Sequence, residues 1–218
     1  MIDEINRGDI PRIFGELITL LENDKRGVSH QLPLSKEAFA VPENVYLIGT
    51  MNTADRSIAL LDTALRRRFG FIELMPDYGV LEDVVLADSI PIAGWLEKLN
   101  ERILEHIGKD ARNLQIGHAY LMERGRPVSE MERFTRIIEE DIVPLLQEYC
   151  YEDYPTLAAV LGEGLVDTQR QRIRYELFEP DQRDSFIQNI LAPSPEITTS
   201  PQIVEQEEYD EENGDEEE

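Results

Sequence analysis

Apolar residues in the first third of the chain fall into short runs, and beyond Pro76 they settle into long helical stripes. Ile13-Phe14-Gly15-Glu16-Leu17-Ile18-Thr19-Leu20-Leu21 has helical spacing, and Pro11 suits its first turn, where a missing N–H costs little. A polar, turn-rich stretch follows from Asn23 to about Asn44, and within it 31–34 and 39–42 predict a short hairpin. Val45-Tyr46-Leu47-Ile48-Gly49-Thr50-Met51 is a continuous apolar run bounded by loop residues, which predicts a strand buried on both faces. Ser57 to Arg68 predicts a helix with Ile58, Leu61 and Leu65 on one face, and Phe69 to Leu74 a second strand stopped by Met75-Pro76-Asp77. Segments near 91–107, 130–149 and 183–191 predict amphipathic helices. The first carries Trp95, Leu96, Leu99, Ile103 and Ile107 on one side. The pattern therefore predicts an α/β part over 1–77, an α-helical domain over 78–192 and a tail over 193–218.

Charge adds to this picture mainly at the C-terminus. Of a net charge of −24, ten acids stand between Gln202 and Glu218 with no base among them. So acidic a segment has little to bury and is expected to be disordered, as a solubilising tail or as an interaction tail. The acidic balance argues against a broad basic nucleic-acid surface but leaves room for local arginine clusters. The single cysteine, Cys150, excludes an intramolecular disulfide framework and a Cys-rich zinc site, and its helical surroundings suit core packing. No apolar run reaches the ~18 residues of a membrane span. Met1-Ile2-Asp3-Glu4 places acid where a signal peptide carries positive charge, so the expected location is the cytoplasm, with no membrane partner.

Four clusters carry candidate chemistry. Ile2-Asp3-Glu4-Ile5-Asn6-Arg7 sets two adjacent acids after an apolar residue. In a nucleotidase one such carboxylate helps hold a magnesium shell and the next polarises water, although an Asp-Glu pair standing alone is usually solvated surface. Thr50-Met51-Asn52-Thr53-Ala54-Asp55-Arg56-Ser57 gathers polar groups at the carboxyl end of a predicted buried strand, the edge where open α/β sheets bind ligands. An amide there can orient a water beside a terminal phosphate, while Asp55 or Ser57 can equally serve as a helix N-cap. Arg66-Arg67-Arg68 repel one another unless anions face them. A phosphate of a neighbouring subunit or nearby surface acids would meet that need. In Gln115-Ile116-Gly117-His118-Ala119-Tyr120-Leu121 a glycine allows close backbone approach and a histidine offers a polar contact, although a lone histidine is more often a satisfied core residue.

Taken together and in this order, the segments 3–7, 13–17, 41–57 and 64–69 resemble the McrB-type family, the motor subunits of 5-methylcytosine-dependent restriction systems. That family is related to the dynein-like and MoxR-like AAA+ ATPases. Met51-Asn52-Thr53-Ala54-Asp55-Arg56-Ser57 is the most specific part of the resemblance, which spans about Met1 to Leu121 and extends more loosely to about Ala192. The resemblance implies the C-terminal part of an αβα AAA+ core followed by a helical lid. It implies that Asp3 is the Walker B magnesium-associated acid, Glu4 the catalytic glutamate, and Asn52 the sensor asparagine, with Asp55 in the same signature. Among Arg66, Arg67 and Arg68 at least one matches the trans-acting finger position, with Arg67 and Arg68 favoured, and Gly117-His118 matches the lid-side nucleotide contact. It further implies Mg2+ with GTP or ATP, a hexameric ring, a McrC-like nuclease partner, and DNA reached through the full complex. Two other readings share these residues: a non-catalytic AAA+-derived assembly or regulatory module, and a MoxR-like chaperone ATPase.

The family's Gly-x-x-x-x-Gly-Lys-Ser/Thr loop, whose amides cradle phosphates, does not occur in the 218 residues. The expectation is therefore a chain that holds the hydrolytic half of a site, is inactive unless complemented, and is either a split gene product or a gene model begun too late. In the family's sheet order, 5-1-4-3-2, the strand that leads into that loop lies between the two strands predicted here. Without it, backbone groups and apolar side chains of both strands are expected to face water.

Overall fold

The computed structural model describes residues 1–52 and 66–198 and divides into two units, Met1–Met75 with Lys109–Gln115, and Pro76–Gly108 with the residues from Ile116 onward. Asp55, residues 57–65 of the predicted helix, and the acidic stretch 202–218 lie outside the described residues.

In the first unit, helix α1 (Ile10–Phe14) starts where the Asp9 carboxylate accepts the Arg12 N–H at 3.2 Å, and Pro11 occupies its first turn. It stops at Gly15, whose φ of +50° is open to glycine at little cost and ends the α-helical geometry. The chain continues as 3-10 turns over Gly15–Leu21, so the helix predicted over 13–21 is split in two by its own glycine. Ile5 and Ile10 form the buried centre of a small cluster, with Ile2, Phe14, Ile18 and Phe69 packed against them. A short hairpin forms, β1 (His30–Gln31) with β2 (Ala38–Phe39), pairing His30 with Phe39 and Gln31 with Ala38, so of the segments expected to pair, 31–34 and 39–42, only Gln31 and Phe39 lie in strands.

Two strand expectations are corrected. Residues 45–51 make a single parallel bridge, Ile2 to Gly49, closed by Ile2 N–H to the Ile48 carbonyl at 2.8 Å and Thr50 N–H to the Ile2 carbonyl at 2.9 Å. Tyr46 is 83% and Ile48 63% exposed, so this segment is not buried on both faces. Residues 69–74 are in no strand, with Ile72 87% and Leu74 91% exposed, although Phe69 reaches the Ile5–Ile10 cluster. Both sequences favour extended backbone, but a ladder needs a neighbour, and among the described residues only Ile2 supplies one. Residues 109–115 add a 3-10 turn that buries Ala111 and Leu114, and its Arg112 forks onto Glu73 through Nε at 3.2 Å and Nη2 at 2.6 Å. That guanidinium holds the Glu73 carboxyl below its usual range.

The second unit is helical with short hairpins. Strands β3 (Val85–Leu86) and β4 (Ile90–Pro91) form a hairpin that leads directly into helix α2 (Ile92–His106), whose buried face carries Ile92, Trp95, Leu96, Leu99 and Ile103. A second hairpin, β5 (Met122–Glu123) with β6 (Arg126–Pro127), precedes helix α3 (Met131–Ile137). Phe134 of α3 meets Trp95 edge to face, with ring centroids 5.1 Å apart. A π-helical turn, Ile138–Ile142, links α3 to α4 (Val143–Cys150). It lies just before Pro144, whose ring would collide with the Glu140 carbonyl in a regular α-turn. Helix α5 (Tyr154–Leu161) is capped by Asp153, which accepts the Thr156 N–H at 3.3 Å. The hairpin β7 (Val166–Asp167) with β8 (Arg172–Ile173) and helix α6 (Arg183–Leu191) complete the unit.

Residues 193–198, given to the tail by the sequence pattern, are ordered: Ser194 is buried and 195–198 form a 3-10 turn. Arg102 of α2 ties this end down, donating Nε to the Val160 carbonyl at 2.7 Å and Nη1 to the Ser194 hydroxyl at 2.5 Å. Cys150 is buried, as its helical setting implied, and burial pushes its thiol up to about 11.

Candidate functional site

In the first unit the Asp3-Glu4 pair is held to the end of the extended segment 45–51 by one hydroxyl. Thr50 Oγ1 donates to an Asp3 carboxylate oxygen and accepts the Glu4 N–H at 3.0 Å. The Ile5 N–H continues the same attachment, donating to the Thr50 carbonyl at 2.9 Å. Glu4 itself sits at φ 48° and ψ 49°, left-handed geometry that a residue with a Cβ adopts at a cost of roughly 1 kcal/mol. The turn leaves the Asp3 carboxylate exposed and the Glu4 side chain ion-paired with Arg7. Gly49 makes this approach possible: a Cβ there would come within 3.1 Å of two Ile5 side-chain carbons.

Asn52 lies two residues beyond Thr50, exposed, and its carbonyl accepts the Asn6 Nδ2 at 3.2 Å. The acids and the asparagine therefore meet at the carboxyl end of residues 45–51, tied by Thr50 and Asn6. Sequence reasoning placed Thr50 in the cluster without assigning it this bridging role. The signal was a hydroxyl closing an otherwise apolar run. Asp55, expected beside Asn52, lies outside the described residues.

The arginines differ from one another. Arg68 is half-buried and its Nη2 meets Glu22 Oε1 at 2.5 Å, the surface-acid pairing that the sequence left open. Arg66 and Arg67 are exposed, and among the described residues Arg67 makes no ion pair.

In the second unit His118 is half-buried, and its Nδ1 accepts the Asp77 N–H at 2.9 Å. An acceptor Nδ1 places the ring proton on Nε2, the nitrogen left to donate elsewhere. Gly117 has φ −72°, and the nearest heavy atom to a Cβ added there is the Ala119 nitrogen at 4.0 Å, so among the described residues nothing demands glycine at 117. The segment is anchored one residue earlier. Asn100, on the apolar face of α2 and 1% exposed, accepts the Ile116 N–H at 2.6 Å and donates Nδ2 both to the Ile116 carbonyl at 2.9 Å and to the Tyr78 hydroxyl at 3.1 Å. Sequence reasoning missed Asn100, although a polar residue four positions after Leu96 and three before Ile103 marks a buried amide with something to bind.

Magnesium needs few protein carboxylates, because waters and substrate phosphates complete its octahedron. Asp3, with Thr50 beside it and Glu4 adjacent, offers the hard oxygen donors this chemistry uses. Among the described residues no cluster of three or more His, Cys, Asp or Glu forms a metal cage of its own. No helix among them is long and apolar enough to cross a membrane.

Comparison with known proteins finds two family segments along the chain. Residues 1–69 match the AAA domain (dynein-related subfamily), and residues 91–158 match the McrB alpha-helical lid domain. The chain is 40% identical over 170 residues to the Type IV methyl-directed restriction enzyme EcoKMcrB subunit of Escherichia coli (strain K12), a match covering 70% of this chain and 37% of that protein. It is 32% identical over 85 residues to the Type II restriction enzyme BsuMI component YdiS of Bacillus subtilis (strain 168), covering 33% of this chain and 25% of that protein. The chain thus spans well under half the length of each of these relatives.

Proposed function

With an AAA segment followed by a McrB lid segment, this chain is of the McrB-type AAA family, and we propose that it acts within a nucleoside-triphosphate-driven motor of a modification-dependent restriction system. The reading is supported above all by the Thr50 bridge, which sets two acids and the Asn52 segment at one end of residues 45–51. In the proposed motor Asp3 holds the water shell of a Mg2+ ion, Glu4 takes a proton from the attacking water, and Asn52 orients that water. A Mg2+ ion held there would supply charge neutralisation at the phosphoryl group. Glu4 must leave Arg7 to act, and an ion pair whose side chains are 60% and 44% exposed gives way at a cost of no more than about 1 kcal/mol. Asp55 completes the sensor signature. Arg67, exposed, serves as the finger toward a neighbouring subunit of a hexameric ring, and Arg68, bound to Glu22, takes a structural part beside it. Gly117 and His118 contact the nucleotide, GTP or ATP, from the lid unit. A McrC-like nuclease is the partner, and DNA is engaged through the assembled complex.

The test uses the tagged chain recovered from its own cells with everything it assembles with. Glu4→Gln is expected to lower kcat for NTP hydrolysis at least about 100-fold while assembly persists, and to abolish restriction of 5-methylcytosine-modified plasmid in the same cells. Unchanged hydrolysis and restriction in Glu4→Gln would favour the non-catalytic assembly module.

A further inference from the structure

The proposed nucleotide contact at Gly117-His118 stands on a 3-10 turn whose own hydrogen bonding is slight, so something else must hold it in place. Asn100 is the one nearly fully buried side-chain amide among the described residues of the second unit, and its hydrogen bonds go to the backbone of Ile116 and to the Tyr78 hydroxyl. One amide both accepts from Ile116 N–H and donates to Ile116 C=O, as a paired strand would. It thereby fixes the peptide planes on either side of Ile116, whose own side chain is fully buried. The second Nδ2 proton goes to the Tyr78 hydroxyl, and the residue before Tyr78, Asp77, donates its N–H to His118 Nδ1. The dipeptide Asp77-Tyr78 and Asn100 thus grip residues 116–118 at both ends: one grip sets the backbone direction and the other sets the imidazole tautomer. Asn100 is buried and Tyr78 half-buried, whereas Asp77 is exposed and takes part through its backbone N–H. Burial raises the Tyr78 hydroxyl above its usual pKa, so it stays a neutral partner.

We propose that Asn100, supported by Tyr78, is the positioning residue that presents Gly117 and the Nε2 face of His118 to nucleotide. The proposal rests on the reading of Gly117-His118 as the lid-side contact. A loop contact that is rigid before binding loses little on ordering, so the loss of the grip should weaken binding more than chemistry.

The experiment is a double-mutant cycle in the native assembly, reading KM for NTP, kcat, and amide exchange at Ile116. His118→Ala is expected to raise KM about tenfold with kcat nearly unchanged. Asn100→Leu, close in volume and without polar atoms, is expected to raise KM to a similar extent and to speed exchange at Ile116. The double variant should then be no worse than His118→Ala alone, because the two residues act through one contact. If Asn100→Leu fails to fold, Tyr78→Phe removes one oxygen and is expected to raise KM about threefold, again without adding to His118→Ala. An unchanged KM in His118→Ala overturns the nucleotide reading, and the positioning role with it. A raised KM in His118→Ala alongside an unchanged or fully additive effect of Asn100→Leu, or of Tyr78→Phe in its place, overturns the positioning role alone.

Discussion

Arg102 offers the sharpest test of how the helical unit is closed. Its guanidinium donates to the Val160 carbonyl at 2.7 Å and to the Ser194 hydroxyl at 2.5 Å. Val160 lies in the last turn of α5, where a carbonyl has no intrahelical donor, and Ser194 is buried beyond α6, so one side chain joins three parts of the chain. Arg102→Met keeps most of the apolar stem and removes both donors. Hydrogen bonds from a charged donor contribute about 1.5–3 kcal/mol each, and their loss leaves two polar groups unsatisfied. Against this stands the desolvation of the guanidinium, which already lowers its pKa and which the substitution relieves. The expected net loss is about 2–4 kcal/mol. Trp95 is the sole tryptophan and is fully buried in this unit, so its fluorescence reports the unfolding of this unit without a contribution from the other. With a urea slope of about 1.5 kcal/mol/M for a unit of this size, the midpoint should fall by about 2 M, and Ser194→Ala by about half as much. Because both acceptors are neutral, most of the shift should survive raised salt, which screens only the attraction of Glu196 and Glu101. A midpoint within about 0.3 M of the parent would refute the idea that Arg102 closes the unit.

Three further outcomes follow from single positions. With its thiol pushed up to about 11 from 9.0, Cys150 carries about a hundredfold less thiolate than a free cysteine. Native protein should therefore react with iodoacetamide at least about a hundredfold more slowly than urea-unfolded protein, as followed by mass spectrometry. Glu139, in the π-turn, is raised above 4.5 first by burial and then by Glu140 and Glu179. A carboxyl that binds its proton more tightly when folded loses stability as pH rises through the raised value, so Glu139→Gln should raise Tm at about pH 7 and leave it unchanged at about pH 3.5. Gly162 has φ +113°, and a Cβ there would lie 2.7 Å from the Pro193 ring. Gly162→Ala should therefore cost at least about 2 kcal/mol in the Trp95 unfolding curve, whereas Gly125→Ala, at φ +77° with open space around it, should cost less.

The helical unit was the more legible part of the chain because its signals are local. Trp95, Leu96, Leu99 and Ile103 recur at helical spacing, and the structure buries all four on α2. The helices at 130–149 and 183–191 follow from the same periodicity, although nothing in it announced the π-turn before Pro144. A hairpin in this stretch was legible, but its strands were not placed: it pairs 30–31 with 38–39 rather than 31–34 with 39–42. The extended segments were legible only in part: the expectation that both runs face water agrees with the exposure of Tyr46, Ile48, Ile72 and Leu74, but the run at 45–51 by itself suggested a strand buried on both faces. Burial depends on neighbours that the run does not encode, and Tyr46 and Ile48 face water where, among the described residues, Ile2 alone pairs with the segment.

The candidate site divides along the same line. Asp3, Glu4 and Asn52 stood out as residue types, but the bonds that bring them together come from Thr50 and Asn6, which composition ranks as ordinary loop polars. Asn100 makes the point more strongly. Burying an amide without partners costs about 1–3 kcal/mol, so an asparagine between Leu96 and Ile103 must find a fixed set of donors and acceptors or the helix would do better with leucine. The partners it finds are the two polar groups of Ile116 and the Tyr78 hydroxyl, next to the two residues the sequence had singled out, Gly117 and His118. A buried polar position on a hydrophobic stripe thus points across the fold to the segment it holds. Here that segment is the one proposed to contact the nucleotide.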